Sequence, residues 1–236
     1  MKVNIEDPNP ALQSIISDPT QIITLDTNFL IPPFRPVLDN KWIKFEVFKK
    51  IWLDPIFMTF KNLAIHEAVY EELVEESVKH YVDSKISEQP PQIIIHKDST
   101  LSDIEKGLRQ SIENKIAPFT KYEPGLNNKQ DRGEVKSLAF IAVRGFLYFA
   151  AHDNTAIQLI EKAESWATGL DQVQAIKMYE LIYYLYKCNV VDKKALKMLY
   201  KYQYFLTKNE HITNPEWGVF IQSMEKLYNK TKLIEL

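Results

Sequence analysis

The sequence predicts an α/β protein of three-layer α/β/α architecture: a central, mostly parallel sheet with helices on both faces, followed by C-terminal helices. Three observations predict it. Short β-rich apolar runs alternate with helix-patterned segments through about residue 165, the order that builds a parallel sheet. The first run, Ile22-Ile23-Thr24-Leu25, is nearly continuously apolar, as a strand buried on both faces must be. Two of the runs end at or beside an aspartate, Asp26 and Asp153, and sites in such sheets form beyond the carboxyl ends of the strands.

The elements follow in order. Pro32, Pro33 and Pro36 interrupt the chain after the first strand. Residues 41–51 read as a helix, with Trp42, Phe45, Phe48 and Trp52 on or near one face. Residues 56–60, extended towards Ile65, read as a second strand, and residues 66–81 as a helix. Ile93-Ile94-Ile95 is the third apolar run. Residues 100–117 predict an amphipathic helix, because Leu101, Ile104, Leu108, Ile112 and Ile116 recur at three- and four-residue steps, and Pro118 stops it. The stretch 119–130, with Pro124-Gly125 and Asn127-Asn128, reads as a loop. A helix over 132–144 ends at Gly145, a strand follows over 146–151, and a helix over 154–165. Residues 173–176 have the pattern of one more short strand, and 178–188 and 193–206 read as helices. The expected organisation is one domain over 1–205 with a helical extension over 206–236 packed on it.

Composition bounds the function. The chain has 236 residues, 45% hydrophobic and 25% charged, enough to bury a core without disulfides or structural metals. A formal net charge of −2 excludes a surface that attracts phosphate everywhere. Any nucleic-acid site must be a local basic patch or must use cations. The single cysteine, Cys188, excludes an intrachain disulfide and fits a reducing compartment. Residues 1–10 are polar with two prolines and lack a signal-peptide pattern. No apolar run approaches the ~18 residues a membrane span needs. The expectation is a cytoplasmic protein with no membrane partner.

The chemistry is carried by acids. Asp26, in Leu25-Asp26-Thr27-Asn28, sits at a strand end, where it suits a hard cation or, equally, caps the helix that follows. Glu72 falls inside the stripe of Ile65, Ala68, Val69 and Leu73 on a helical wheel, and a carboxylate facing a buried surface needs a partner. Glu76, one turn on, is a weaker candidate. Asp131-Arg132-Gly133-Glu134 opens a helix with capping-box spacing, while Glu134 also lies beside Leu138 and Ile141. Asp131 and Glu134 are therefore rivals for one role. Asp153 ends a strand and either caps the next helix or joins Asp26; the adjacent His152 reads as structural. Four converging carboxylates would repel one another, and one or two Mg²⁺ or Mn²⁺ ions would resolve that repulsion.

At these residues the sequence resembles the PIN-domain family. The matching pieces are Leu25-Asp26-Thr27-Asn28, Val69-Tyr70-Glu71-Glu72-Leu73, Gly133-Glu134 before Leu138, Ala139 and Ala142, and His152-Asp153-Asn154-Thr155-Ala156. The resemblance covers about residues 20–165 and rests on the order of all four pieces. It implies Asp26, Glu72, Glu134 and Asp153 as a catalytic, metal-holding cluster that Thr27 or Asn28 orders. It also implies a Mg²⁺- or Mn²⁺-dependent nuclease, most often an endoribonuclease. Many bacterial members are toxins paired with an antitoxin, so an antitoxin is an expectation of the same resemblance; another protein partner or a second copy of the chain is a separate expectation.

Lys115, Lys121, Tyr122, Lys129 and Arg132 border this site and, with Asn28, are candidate substrate contacts; lysine and arginine track phosphates while aromatic rings stack on bases. The stretch 183–204 is rich in tyrosine and lysine and reads as a packed helical pair or a nucleic-acid or protein surface. Two other classes compete with the nuclease: a PIN-like binding module with a poor active site, and a phosphohydrolase with Asp26 as nucleophile. The second is disfavoured because Thr27-Asn28 supplies no neighbouring aspartate.

Overall fold

The computed structural model describes residues 2–35 and 43–229. Its five strands are β1 (Ile23–Leu25), β2 (Leu63–His66), β3 (Ile93–His96), β4 (Tyr148–Ala151) and β5 (Gln174–Lys177). They form one all-parallel sheet, flanked by helices, in the order β3-β2-β1-β4-β5. The register sets Ile23 of β1 opposite Leu63 of β2 and Tyr148 of β4, and Leu63 opposite Ile93 of β3. Every residue of β1, β2 and β4 is buried, which is why these strands read as unbroken apolar runs. The chain steps outward from β1 to β2 and β3, then returns to the other side of β1 for β4 and β5. The reversal therefore lies between β1 and β4, the two strands that lead into Asp26 and Asp153.

The helices, in chain order, are α1 (Pro10–Ser17), α2 (Thr27–Leu30), α3 (Phe45–Phe48), α4 (Asp54–Thr59), α5 (Glu67–Glu72), α6 (Glu76–Ser87) and α7 (Asp103–Ile116). They continue with α8 (Arg132–Arg144), α9 (Asn154–Glu161), α10 (Ala163–Trp166), α11 (Met178–Cys188), α12 (Lys193–Tyr204), α13 (Lys208–Thr213) and α14 (Trp217–Tyr228). A π-helical segment over Lys49–Leu53 joins α3 to α4.

Two compact units emerge. One comprises residues 22–31 and 62–175, and carries β1 to β4 with α2 and α5 to α10. The other comprises residues 1–21, 32–61 and 176–236. The second unit has an aromatic core in which Trp52, Phe48, Phe60, Tyr179, Tyr183, Tyr184, Tyr200, Tyr204 and Tyr228 are buried, with Phe60 and Tyr184 stacked at 5.3 Å. Those tyrosines of the 183–204 stretch are core residues; Tyr202 is half-buried and donates to the Pro33 carbonyl.

Three expectations are corrected. Residues 56–60 are not a strand: Asp54–Thr59 is helical, with Pro55 in its first turn, and the strand begins only at Leu63. A short apolar run does not distinguish a strand from a buried helix, and proline in a first helical turn is the signal that decides it. The helix over 66–81 is two helices, because Leu73 leaves helical geometry and 73–75 break the path between α5 and α6. In α7 the expected stripe is partly inverted. Ile104 and Leu108 are 79% and 55% exposed, while Arg109, Glu113 and Ile116 are buried, so a charged pair holds the inner face. Of the expected 41–51 helix, Lys41 and Trp42 lie outside the described residues.

Candidate active site of clustered carboxylates

Four chain segments bring acids to one region of the β1–β4 unit. Asp26 follows β1, and its backbone N–H donates to the Ala150 carbonyl at 3.0 Å, which fixes it beside the end of β4. The side chain is buried and makes no capping bond to α2, so the capping alternative is not realised. Instead Asn28 Nδ2 donates to Asp26 Oδ2 at 3.1 Å. Asp153 follows β4 and does cap: its Oδ1 accepts the Thr155 N–H at 2.6 Å, opening α9.

Glu72 closes α5 and is half-buried. Its Oε2 accepts the Thr27 hydroxyl and its Oε1 the Gly133 N–H, both at 2.7 Å. One carboxylate thereby links the starts of α2 and α8. The approach at residue 133 is so close that a Cβ there would lie 2.6–2.8 Å from the Glu72 carboxylate. A side chain at 133 would have to displace the end of the Glu72 side chain, so the glycine matters here for close approach rather than for backbone conformation. Sequence reasoning used Gly133 only as part of a motif; a glycine inside the first turn of a helix, where it lowers helix propensity, was the available signal.

Glu134 and Asp131 separate cleanly. Asp131 has φ +53°, in the left-handed region, and forms no cap; its Oδ2 accepts the Lys121 N–H at 2.8 Å. That backbone turn aims its carboxylate back at the loop, so the capping box suggested by the spacing does not form. Glu134 is buried and its Oε1 has no hydrogen-bond partner. Glu76 is exposed at the start of α6, away from these contacts.

The acids share one electrostatic field. Burial pushes the Glu134 carboxyl up to about 9, and the negative charges of Asp26, Asp153, Asp131 and Glu72 add to it. Burial likewise pushes Asp26 up to about 7, reinforced by Glu72 and Asp153 and opposed by the Thr27 N–H and the Asn28 amide. At pH 7 the cluster on its own keeps the proton of Glu134 and holds Asp26 about half-protonated. No three of Asp26, Glu72, Glu134 and Asp153 bring oxygens within 4.8 Å of one another; among the described residues the group that meets that distance is His66, Glu67 and Asp98.

That second group is already satisfied. His66 Nδ1 accepts the Ala68 N–H at 3.2 Å, and its Nε2 faces Asp98 Oδ1 at 3.2 Å, so both ring nitrogens are in use. Glu67 Oε1 accepts the Asp98 N–H at 2.9 Å. Arg109 lies 3.0 Å from Asp98 and pairs with buried Glu113, whose Oε1 accepts the Tyr122 hydroxyl at 2.8 Å. With an arginine supplying the positive charge, this is an ion-paired brace across α5, α7 and the 119–130 loop. A metal would have to displace those bonds. The sequence carried a signal for it in the i, i+4 spacing of Arg109 and Glu113.

Asp26, Glu72, Glu134 and Asp153 are the residues that could hold a cation. The donor set is all carboxylate, which suits Mg²⁺ or Mn²⁺, and the partnerless Glu134 Oε1 is an oxygen such an ion would satisfy. The expected substrate contacts divide. Lys115, Lys121 and Lys129 are exposed. Tyr122 is buried with its hydroxyl bonded to Glu113, which removes it as a stacking surface. Arg132 pairs with Glu71 at 2.8 Å, and Asn28 serves Asp26. Among the described residues no helix is long and apolar enough to cross a membrane. No protein-family model, no curated protein and no solved structure matches the chain.

Proposed function

We propose that this protein is a divalent-cation-dependent nuclease that hydrolyses phosphodiester bonds in RNA, with Asp26, Glu72, Glu134 and Asp153 as its working carboxylates. The observation that carries the reading is the Glu134 carboxyl: buried, partnerless at Oε1, pushed up to about 9 and surrounded by three other acids from separate segments. Such a group destabilises a fold unless a positive charge offsets it, and perturbed carboxyls of this kind concentrate at functional sites. The PIN-domain resemblance supports the same four residues through the order of its motifs.

When bound, Mg²⁺ or Mn²⁺ supplies the positive charge that lowers the pKa of water and steadies phosphodiester oxygens. The chain's own groups do the rest. Thr27 and Gly133 hold Glu72 in place, and Asn28 orients Asp26. Without a cation, burial holds the Asp26 carboxyl at about 7, so a cation bound there would displace its proton. Lys115, Lys121 and Lys129 are exposed to meet phosphates. A cytoplasmic location and a protein partner such as an antitoxin belong to the same reading.

One observation favours the alternative of a PIN-like RNA- or protein-binding module: both Glu72 oxygens are already taken by protein donors. Cleavage of a mixed pool of single-stranded and structured RNA separates the two. The nuclease cuts with Mg²⁺ or Mn²⁺, stops with EDTA, and loses activity in Asp26→Asn and Asp153→Asn. A pool left intact by the wild type under every condition supports the module instead.

A further inference from the structure

The other unit carries a charged face that the carboxylate site does not use. Helix α12 buries Leu196, Leu199, Tyr200, Gln203 and Tyr204 on one side. Lys193, Lys194, Lys197 and Lys201 are exposed, and the helix contains no aspartate or glutamate. At about 100° per residue, Lys194, Lys197 and Lys201 fall within roughly 60° of arc and about 10 Å of helix length. None of the four forms an ion pair among the described residues. Asp192, the adjacent acid, spends its carboxylate capping the helix at the Lys194 N–H, 3.2 Å away. In a chain with net charge −2, an acid-free lysine row is a local departure from the average.

Aromatic surface adjoins the row. Lys193 Nζ sits over the Tyr186 ring, 4.6 Å from its centroid, and Tyr186 packs edge-on against Trp217 at 5.8 Å. Both rings are half-buried, unlike the tyrosines of the core. Lysines that follow a phosphate chain, beside partly exposed aromatic rings on which a base can stack, are the combination that single-stranded nucleic acid recognises.

We propose that the lysine face of α12, with Tyr186 and Trp217, is a docking surface for the sugar–phosphate backbone of single-stranded RNA. The charge complementarity commits it to a polyanion, and the neighbouring rings favour RNA over an anionic lipid surface. Docking here needs neither cation nor catalysis. It therefore stands or falls separately from the nuclease reading.

The test uses the full chain in EDTA with fluorescein-labelled oligouridylate, titrated at several salt concentrations. The wild type binds, and log K falls with log[salt] with a slope of about −0.7 for each phosphate neutralised. Combining Lys194→Glu, Lys197→Glu and Lys201→Glu costs at least ~10-fold in affinity and flattens the slope by about 2, while arginine at the same three positions restores both. Tyr186→Ala weakens binding with the slope unchanged. Circular dichroism confirms that each variant is folded, and a charge-reversed variant that does not fold is replaced by the three lysine-to-glutamine changes. Equal affinity and slope in wild type and triple variant overturn the proposal, as does capture by phosphatidylserine vesicles with no binding to RNA. RNA bound but never cut leaves this surface standing and removes the nuclease; RNA cut normally by the triple variant, with unchanged affinity, does the reverse.

Discussion

Replacing Glu134 with glutamine isolates the electrostatic strain of the site. The folded protein keeps a proton on Glu134 up to about pH 9, whereas the unfolded chain releases it near the ordinary value of 4.5. Between those limits the native state binds the extra proton, so its stability falls as pH rises. The slope is about 1.4 kcal/mol for each pH unit, which amounts to about 4 kcal/mol between pH 5 and pH 8. Glu134→Gln presents an uncharged side chain of the same shape throughout and lacks this term. Asp26 contributes in the same direction up to about pH 7 in both proteins, and so cancels from the comparison to first order. Urea unfolding in EDTA, followed by tryptophan fluorescence at pH 5, 6, 7 and 8, reads the difference. Wild type should lose about 4 kcal/mol relative to Glu134→Gln across that range, with the variant the more stable protein at pH 8. Parallel pH profiles would refute the reasoning, because they would mean that Glu134 ionises in the fold as easily as in water.

Other perturbations test the surrounding geometry. Gly133→Ala places a methyl group where the Glu72 carboxylate now lies, 2.6–2.8 Å away, and should weaken Mn²⁺ binding at least ~10-fold without changing the circular dichroism spectrum; unaltered affinity would show that Glu72 is not needed. Arg109→Met leaves Glu113 buried beside only the Tyr122 hydroxyl and should cost about 3 kcal/mol in urea unfolding, whereas a cost under about 1 kcal/mol would deny the brace. His96 is stacked between Phe140 and Phe146, and burial first, then electrostatic repulsion involving His66 and Arg144, push it down to about 4. The unfolded chain takes its proton near 6.5, so stability is lost as pH falls from 6.5 to 4, by about 3 kcal/mol; His96→Phe should abolish that part of the acid sensitivity.

The parts of this fold that were legible in the sequence share a physical cause. β1 and β4 are buried on both faces, so their apolar runs could mean little else once helical segments flanked them. The end of α8 was marked by Gly145, which takes φ +67° at the helix terminus. Asp26 and Asp153 followed from strand ends, because a parallel sheet gathers its carboxyl ends on one rim. What was not legible depends on tertiary contact. Residues 56–60 are apolar whether helix or strand, and only burial chooses. The inner face of α7 is held by Arg109 and Glu113 because Asp98 and Tyr122 wait there, 11 and 9 residues away along the chain, and no periodicity of leucine and isoleucine reveals that. The rivalry of Asp131 and Glu134 turned on one left-handed residue, a backbone choice that local spacing does not encode. Tyr122 sat in a polar loop and read as a surface ring until Glu113 claimed its hydroxyl.

The nuclease reading rests on the four carboxylates acting together on a cation. Calorimetric titration of Mn²⁺ into the wild type at pH 7, in buffers of differing ionisation enthalpy, measures that joint action directly. With Glu134 at about 9 and Asp26 at about 7, binding should expel about 1.5 protons, and both affinity and proton release should drop in Glu134→Gln and Asp26→Asn. Binding without proton release, or binding equally tight in both variants, would contradict the account.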